Sequence, residues 1–149
     1  MHDDSFSIDL LVRHPSRSPL RISRALSLKR SMAHDAGNKF RVPRDGRTYF
    51  RATLQNGNSV SEFERALTKV VKFLRKNESF WKDMMDEKGN VELVLNHAIP
   101  PQEEKGDKCF ELSLTPAFCK HLSARGIGLR IQGWQGYPNT KRSAALLST

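Results

Sequence analysis

The sequence lacks the features of a secreted, disulfide-linked or membrane-spanning protein. Its 149 residues include two cysteines, Cys109 and Cys119, which are too few for a disulfide framework. No apolar run approaches the roughly 20 residues of a membrane helix. Residues 1–4 are acidic and polar, unlike the start of a secretory signal. We therefore expect reduced thiols, a cytoplasmic location and no membrane association.

Recognisable catalytic and metal-binding motifs are also missing. The chain has no glycine-rich phosphate-binding loop and no nucleophile elbow. Its histidines show neither the i, i+4 spacing of a helical metal site nor neighbouring cysteine pairs; they are His2, His14, His34, His97 and His121. Cys119 and His121 are two residues apart, which places them on different faces of a helix. We expect no enzyme activity, no cofactor and no metal.

A regular alternation of apolar residues towards the end of the chain indicates the fold most clearly. Lys108–Leu114 alternates like a half-buried strand, and Thr115-Pro116 then provides an N-cap and a first helical residue. Gly126 is suited to end that helix, and alternation resumes over 127–134. The pattern predicts a short β–α–β crossover, which is expected to be right-handed between parallel strands.

Further periodic segments complete one domain. Strands are predicted over 5–14, 48–55 and 91–98, and helices over 18–28, 59–76 and 79–89, separated by a long basic loop at 29–47. Ser59 and Glu62 form a capping box at the start of the longest helix, and Ser79 is the predicted cap of the next one. The predicted order is β-α-β-α-α-β-β-α-β. This order favours an α+β fold with a ferredoxin-like mixed or antiparallel sheet and helices mainly on one face. The domain covers 5–134, between an N-terminal tail (1–4) and a flexible C-terminal tail (135–149).

Four segments of the chain resemble a known family. They are SFSIDLLV, PLRISRALSL, FERALTKVVKFLR and FELSLTPAFCKHLSARGIGLRI. Together they resemble the small bacterial family described as domain of unknown function 4279, over about residues 5–134. The resemblance implies an α+β fold and a bacterial origin. It implies no activity, because that family has no catalytic motif to carry over.

Positive charge is concentrated in one part of the sequence. Residues 13–51 hold eleven Lys or Arg against Asp35 and Asp45, whereas the rest of the chain carries fourteen charges of each sign, so this segment accounts for the net charge of +9. Such asymmetry suggests an anionic partner. The candidate anion- or partner-binding surface consists of Lys39, Arg41, Arg44, Arg47, Tyr49 and Arg51.

Three interpretations of this basic stretch stay open. It is a solvated loop with Tyr49 and Phe50 in the core, a surface for an acidic protein, or a nucleic-acid site. In the last case arginine would bind phosphates and aromatic rings would stack on bases.

Our leading hypothesis for the function is a non-enzymatic protein-interaction or binding module that neutralises or scaffolds a partner. The alternatives are nucleic-acid binding through 39–51, and small-ligand binding or catalysis by a dispersed site. A pocket with convergent polar groups would favour the small-ligand alternative. The sequence is consistent with both a monomer and a homodimer. An unpaired edge strand would support the homodimer.

Overall fold

The α+β class is confirmed in the computed structural model, which describes residues 6–29, 32–34, 47–98 and 112–134. In chain order the elements are β1 Phe6–His14, α1 Pro19–Leu26, β2 Met32–His34, β3 Thr48–Gly57, α2 Val60–Lys76, α3 Glu78–Asp86, β4 Asn90–Ala98, α4 Pro116–Ala124 and β5 Ile127–Trp134. None of the described helices is long and apolar enough to cross a membrane. The predicted tails at 1–4 and 135–149 lie outside the described residues.

The strands form a mixed sheet in the order β2-β3-β1-β4-β5. β1 is antiparallel to both β3 and β4, whereas β4 and β5 are parallel. The run Leu10, Leu11 and Val12 does not alternate, and all three side chains are buried, as is typical of a central strand. β5 lies at one end of this order, so the parallel pair is also the edge of the described sheet.

One face of the sheet carries all four described helices. Because alternate residues of a strand share a face, Phe6, Ile8, Leu10 and Val12 of β1 enter one core with buried side chains from every helix. The other face has a separate small cluster of Leu11, Tyr49 and Val94. The prediction of helices on one face is therefore confirmed.

Local contacts explain where the helices begin. The hydroxyl oxygens of Ser18, Ser59 and Thr115 each accept a hydrogen bond from the backbone N–H three residues later. The predicted capping box is formed only in part, because Glu62 accepts at 2.7 Å from the N–H of Asn58, one residue before the N-cap Ser59. The predicted cap at Ser79 is wrong, because α3 starts at Glu78 directly after α2. Trp81 of α3 donates its ring N–H to Leu74 of α2 at 2.8 Å and so fixes the angle between the two helices.

The element order differs from the prediction in two places. β2 pairs with β3 inside the segment predicted as a loop. Leu112–Leu114 belongs to no strand, and the rest of the predicted strand, 108–111, lies outside the described residues. Leu112 and Leu114 instead pack at the margin of the core, so their alternation reflects one-sided burial rather than sheet pairing. The order of the described elements is β-α-β-β-α-α-β-α-β, and the parallel neighbour of β5 among them is β4.

Candidate functional site

Three of the six residues predicted as a basic binding surface fall within the described part of the chain. These are Arg47, Tyr49 and Arg51, at and just before β3; Lys39, Arg41 and Arg44 lie outside it. Arg47 donates from Nη2 to the carbonyl oxygen of Lys88 at 2.6 Å and to that of Arg13 at 3.4 Å. Lys88 has a left-handed backbone (φ 61°) in the turn between α3 and β4. Arg47 therefore ties the start of β3 to this turn.

Arg51 makes an ion pair on the face of the sheet opposite the helices. Its Nε lies 2.8 Å from Oδ2 of Asp9, whose side chain is only 10% exposed. Asn96 donates to the same oxygen at 3.4 Å. Burial acts to lower the pKa of Arg51, but hydrogen bonds and charge attraction from Asp9 and Tyr49 outweigh it and raise that pKa. Arg51 therefore compensates a buried charge.

Tyr49 is buried between neighbouring strands. It is 8% exposed and belongs to the cluster with Leu11 and Val94. A ring that stacks on a nucleobase needs an accessible face. Tyr49 does not offer one in this structure, in agreement with the interpretation that placed its ring in the core.

Arg17, another member of the basic segment, is bound to an acidic residue far along the chain. Its Nη2 donates to both carboxylate oxygens of Glu87, at 3.0 and 2.8 Å. His14 accepts at Nδ1 from the backbone N–H groups of Ser16 and Arg17, so its proton is on Nε2, which donates to Glu87 at 2.8 Å. The hydrogen bond from His14, helped by the charge of Arg17, lowers the pKa of Glu87.

A row of cations on α2 has a different environment. We call Arg65, Lys69, Lys72 and Lys76 the α2 stripe. Their spacing of four, three and four residues places them within about 60° of one another around the helix and over roughly 16 Å of its length. They lie opposite the buried residues of α2, and all four are exposed. Within the described residues, none of the four makes an ion pair.

The α2 stripe is an arrangement that helix stability does not favour. Like charges three or four residues apart destabilise a helix by about 0.2–0.5 kcal/mol per pair. Lys76 lies in the last turn and gains from the helix dipole, but Arg65, Lys69 and Lys72 are too far from the C-terminus. The sequence already shows Lys69, Lys72 and Lys76 on the outer face of this helix. The four-three-four spacing adds Arg65 and is the signal that identifies the row.

A cleft of about 320 Å³ separates α2 from α4, a volume at the lower end of the range for small-molecule sites. Its lining is mainly apolar and includes Leu67, Val71, Ala117 and Phe118, with polar groups from Glu64, Thr68, Ser113, Thr115 and His121. Polar and apolar residues thus line the cleft together, although the hydroxyl oxygen of Thr115 already accepts from the N–H of Phe118.

Contacts with Arg125 define the tautomer of the His121 ring at this cleft. Arg125 donates to the His121 carbonyl oxygen at 2.9 Å and contacts His121 Nδ1 at 3.3 Å, and it is itself fixed by an ion pair with Glu78. Because a guanidinium only donates, Nδ1 accepts and Nε2 carries the proton. His121 is thus a positioned hydrogen-bond donor among the cleft residues.

Other candidate chemistry is limited in the described ranges. Within them, no group of three or more His, Cys, Asp or Glu could hold a metal ion, and Cys119 is an exposed free thiol. No family model, curated protein or solved structure matches the chain. The resemblance to domain of unknown function 4279 stays a prediction.

Proposed function

We propose that this protein is a non-enzymatic interaction module that binds an acidic segment of another protein through the α2 stripe. The observation that supports this proposal is the row of four exposed cations without an acidic partner in the described residues. Such a row costs helix stability, and a partner with the opposite charge would compensate that cost.

The shape of the stripe favours a narrow partner. Over its first three cations it is one side chain wide, and exposed Arg75 lies beside Lys72 at its C-terminal end. An acidic helix with Glu at the same four-three-four spacing would place one carboxylate opposite each cation. Each exposed pair contributes only about 0.2–1 kcal/mol, so the four together give moderate, salt-sensitive binding with fast association.

Nucleic acid is the competing partner for the same charges. Its binding here would depend on phosphate contacts without base stacking, since Tyr49 is buried. This point favours the acidic protein, and the experiment below includes nucleic acid as a probe.

The test is fluorescence anisotropy with a labelled helical peptide carrying four Glu at four-three-four spacing, beside single- and double-stranded oligonucleotides. The stripe variant changes Arg65, Lys69, Lys72 and Lys76 to Gln. The control variant changes four other exposed cations to Gln and has the same net charge; these are Arg21, Arg24, Lys82 and Lys120. We expect peptide binding to fall at least tenfold in the stripe variant and less than twofold in the control.

Equal losses in the two variants would mean that only net charge matters, and the proposal would be wrong. Oligonucleotide binding that exceeds peptide binding and depends on the stripe would assign the surface to nucleic acid instead.

A second candidate function is small-ligand binding in the cleft between α2 and α4. Its support is the positioned His121 donor together with the hydroxyls and carboxylate that line the cleft. We expect amphipathic fragments with a hydrogen-bond acceptor to shift the amide NMR signals of Thr68 and His121. His121→Phe should abolish these shifts and Ser123→Ala should keep them. Shifts that are scattered over the surface, or unchanged in His121→Phe, would remove this candidate.

A further inference from the structure

The cleft between α2 and α4 borders the α2 stripe. Thr68 lines the cleft and lies three residues after Arg65 and four before Lys72, so it is a surface neighbour of both cations. At 100° per residue, Thr68 is about 40° from Lys72 around the helix axis. One elongated partner that lies along α2 can therefore contact the cations and the cleft together.

The stripe and the cleft attract different groups on such a partner. The four cations of the stripe attract carboxylates. The cleft is lined mainly by apolar side chains, and Glu64 on its α2 side disfavours a second carboxylate there. The cleft volume of about 320 Å³ equals that of roughly ten water molecules in the liquid, which is enough for a large apolar side chain. Acidic residues are thereby directed to the stripe and an apolar residue to the cleft.

We propose that the acidic partner is an amphipathic helix that inserts one apolar side chain, such as leucine, into the cleft while its glutamates face the α2 stripe. This inference rests on the proposed function, because the stripe decides where the helix lies. The apolar side chain takes the place that the second candidate function gives to a small ligand. An apolar anchor in a groove with charged residues around it is a common mode of helix recognition. The anchor slows dissociation, and the ion pairs speed association.

The position of the cleft fixes where the anchor falls on the partner. In a helix with Glu at positions 1, 5, 8 and 12, positions 2 and 9 flank the Glu row on one side and positions 4 and 11 on the other. The α2 residues that line the cleft lie within 64–71, so the anchor is near the end of the partner that faces Arg65. It is at position 2 when the two helices are parallel and at position 11 when they are antiparallel.

Fluorescence anisotropy with four labelled helical peptides tests the anchor. All carry Glu at positions 1, 5, 8 and 12. Three carry a single leucine, at position 2, 10 or 11, and the fourth has alanine at all three. Position 10 faces away from α2 and serves as the control. We expect leucine at position 2 or at position 11 to tighten binding at least tenfold over the alanine peptide, or about 1.4 kcal/mol, and leucine at position 10 to change it less than twofold.

Ala117→Trp tests whether the leucine enters the cleft. Ala117 is exposed on the α4 side of the cleft, so the indole ring would fill the space without a change of charge. Ala124→Trp, at an exposed residue of α4 that is not among those lining the cleft, is the matched control. We expect Ala117→Trp to reduce the gain from leucine to less than twofold and Ala124→Trp to keep it. Both variants should bind the alanine peptide like the native protein, which also shows that they are folded.

The outcomes separate this inference from the proposed function. A gain that stays below tenfold at both positions 2 and 11, an equal gain from position 10, or a gain that persists in Ala117→Trp would overturn the anchor. Binding of the alanine peptide that still depends on the stripe would then leave the proposed function in place. If the variant with Gln at all four stripe positions binds the alanine peptide as tightly as the native protein does, the proposed function is wrong and the anchor is overturned with it.

Discussion

Residues 13–51 and helix α2 both carry clusters of Arg and Lys, and the fold surrounds the two clusters differently. In the basic segment, Arg17 binds Glu87 and Arg51 binds Asp9, partners that are 70 and 42 residues away in the chain. Arg21 and Arg24 of the same segment are exposed on the short helix α1 and make no ion pair among the described residues. On α2, the stripe meets no acidic side chain in the described residues. A charge count along the sequence locates an excess of cations, but the tertiary structure decides which of them face solvent without a counter-ion.

The largest expected effect comes from removing a structural cation of the basic segment. Arg51→Met leaves the Asp9 carboxylate buried without its ion pair, and we expect a loss of about 3 kcal/mol in the free energy of unfolding. Urea denaturation followed by circular dichroism measures it. The double variant Arg51→Met with Asp9→Leu should recover most of the loss, since no buried charge remains. If the free energy of unfolding of Arg51→Met lies within 0.5 kcal/mol of the native value, Arg51 does not stabilise the fold.

A smaller effect is expected at Arg47. Arg47→Met removes the donor to the Lys88 carbonyl oxygen in the left-handed turn, and we expect a loss of about 1–2 kcal/mol. Arg24→Met, at an exposed residue of α1, is the control and should change the free energy of unfolding by less than 0.5 kcal/mol. Equal effects in the two variants would contradict the assignment of Arg47 to the structure.

The contact of Arg17 and His14 with Glu87 predicts a pH dependence in acid. The pKa of Glu87 is lowered from its ordinary value of 4.5. A carboxyl with a lower pKa in the folded state adds stability above its unfolded pKa and loses it as pH falls through the folded value. We expect native stability to drop below about pH 4.5, and Glu87→Gln to drop less steeply, in urea titrations between pH 3 and 6. Asp86→Asn is the control, and identical slopes in Glu87→Gln and the native protein would contradict this account.

The smallest expected effect has the opposite sign and concerns the α2 stripe. Lys72→Glu removes repulsion from Lys69 and Lys76 and adds attraction to both, so we expect a gain of about 0.5 kcal/mol. Lys82→Glu on α3 makes the same charge change at a residue that lies four positions from both Glu78 and Asp86. It replaces attraction to these two carboxylates by repulsion, so it should lower stability. Thermal unfolding at low salt measures both changes. A loss of stability in Lys72→Glu would show that the stripe does not repel itself.

Much of the fold follows from local sequence signals, because caps and one-sided burial depend on neighbouring residues. Ser18, Ser59 and Thr115 begin helices as predicted. Alternation of apolar residues wrongly predicted a strand at Leu112 and Leu114, where it accompanies one-sided burial without sheet pairing. It also missed β2, since three residues are too few to show a period.

The candidate sites were less predictable, since each depends on distant contacts. Nothing near Arg51 in the sequence indicates Asp9, and nothing near His121 indicates the cleft with α2. The α2 stripe was readable in principle from its spacing. Its lack of acidic partners in the described ranges became visible only when the ion pairs of the fold were known.

A charge-exchange experiment tests most directly whether the α2 stripe recognises an acidic helix. The protein carries Lys69→Glu and Lys72→Glu, and the labelled peptide carries Lys in place of the two Glu that face these positions. We predict that either change alone weakens binding at least tenfold and that the two together restore it to within threefold of the native pair. Binding that stays weak when both changes are combined would contradict the proposal that these side chains contact the partner.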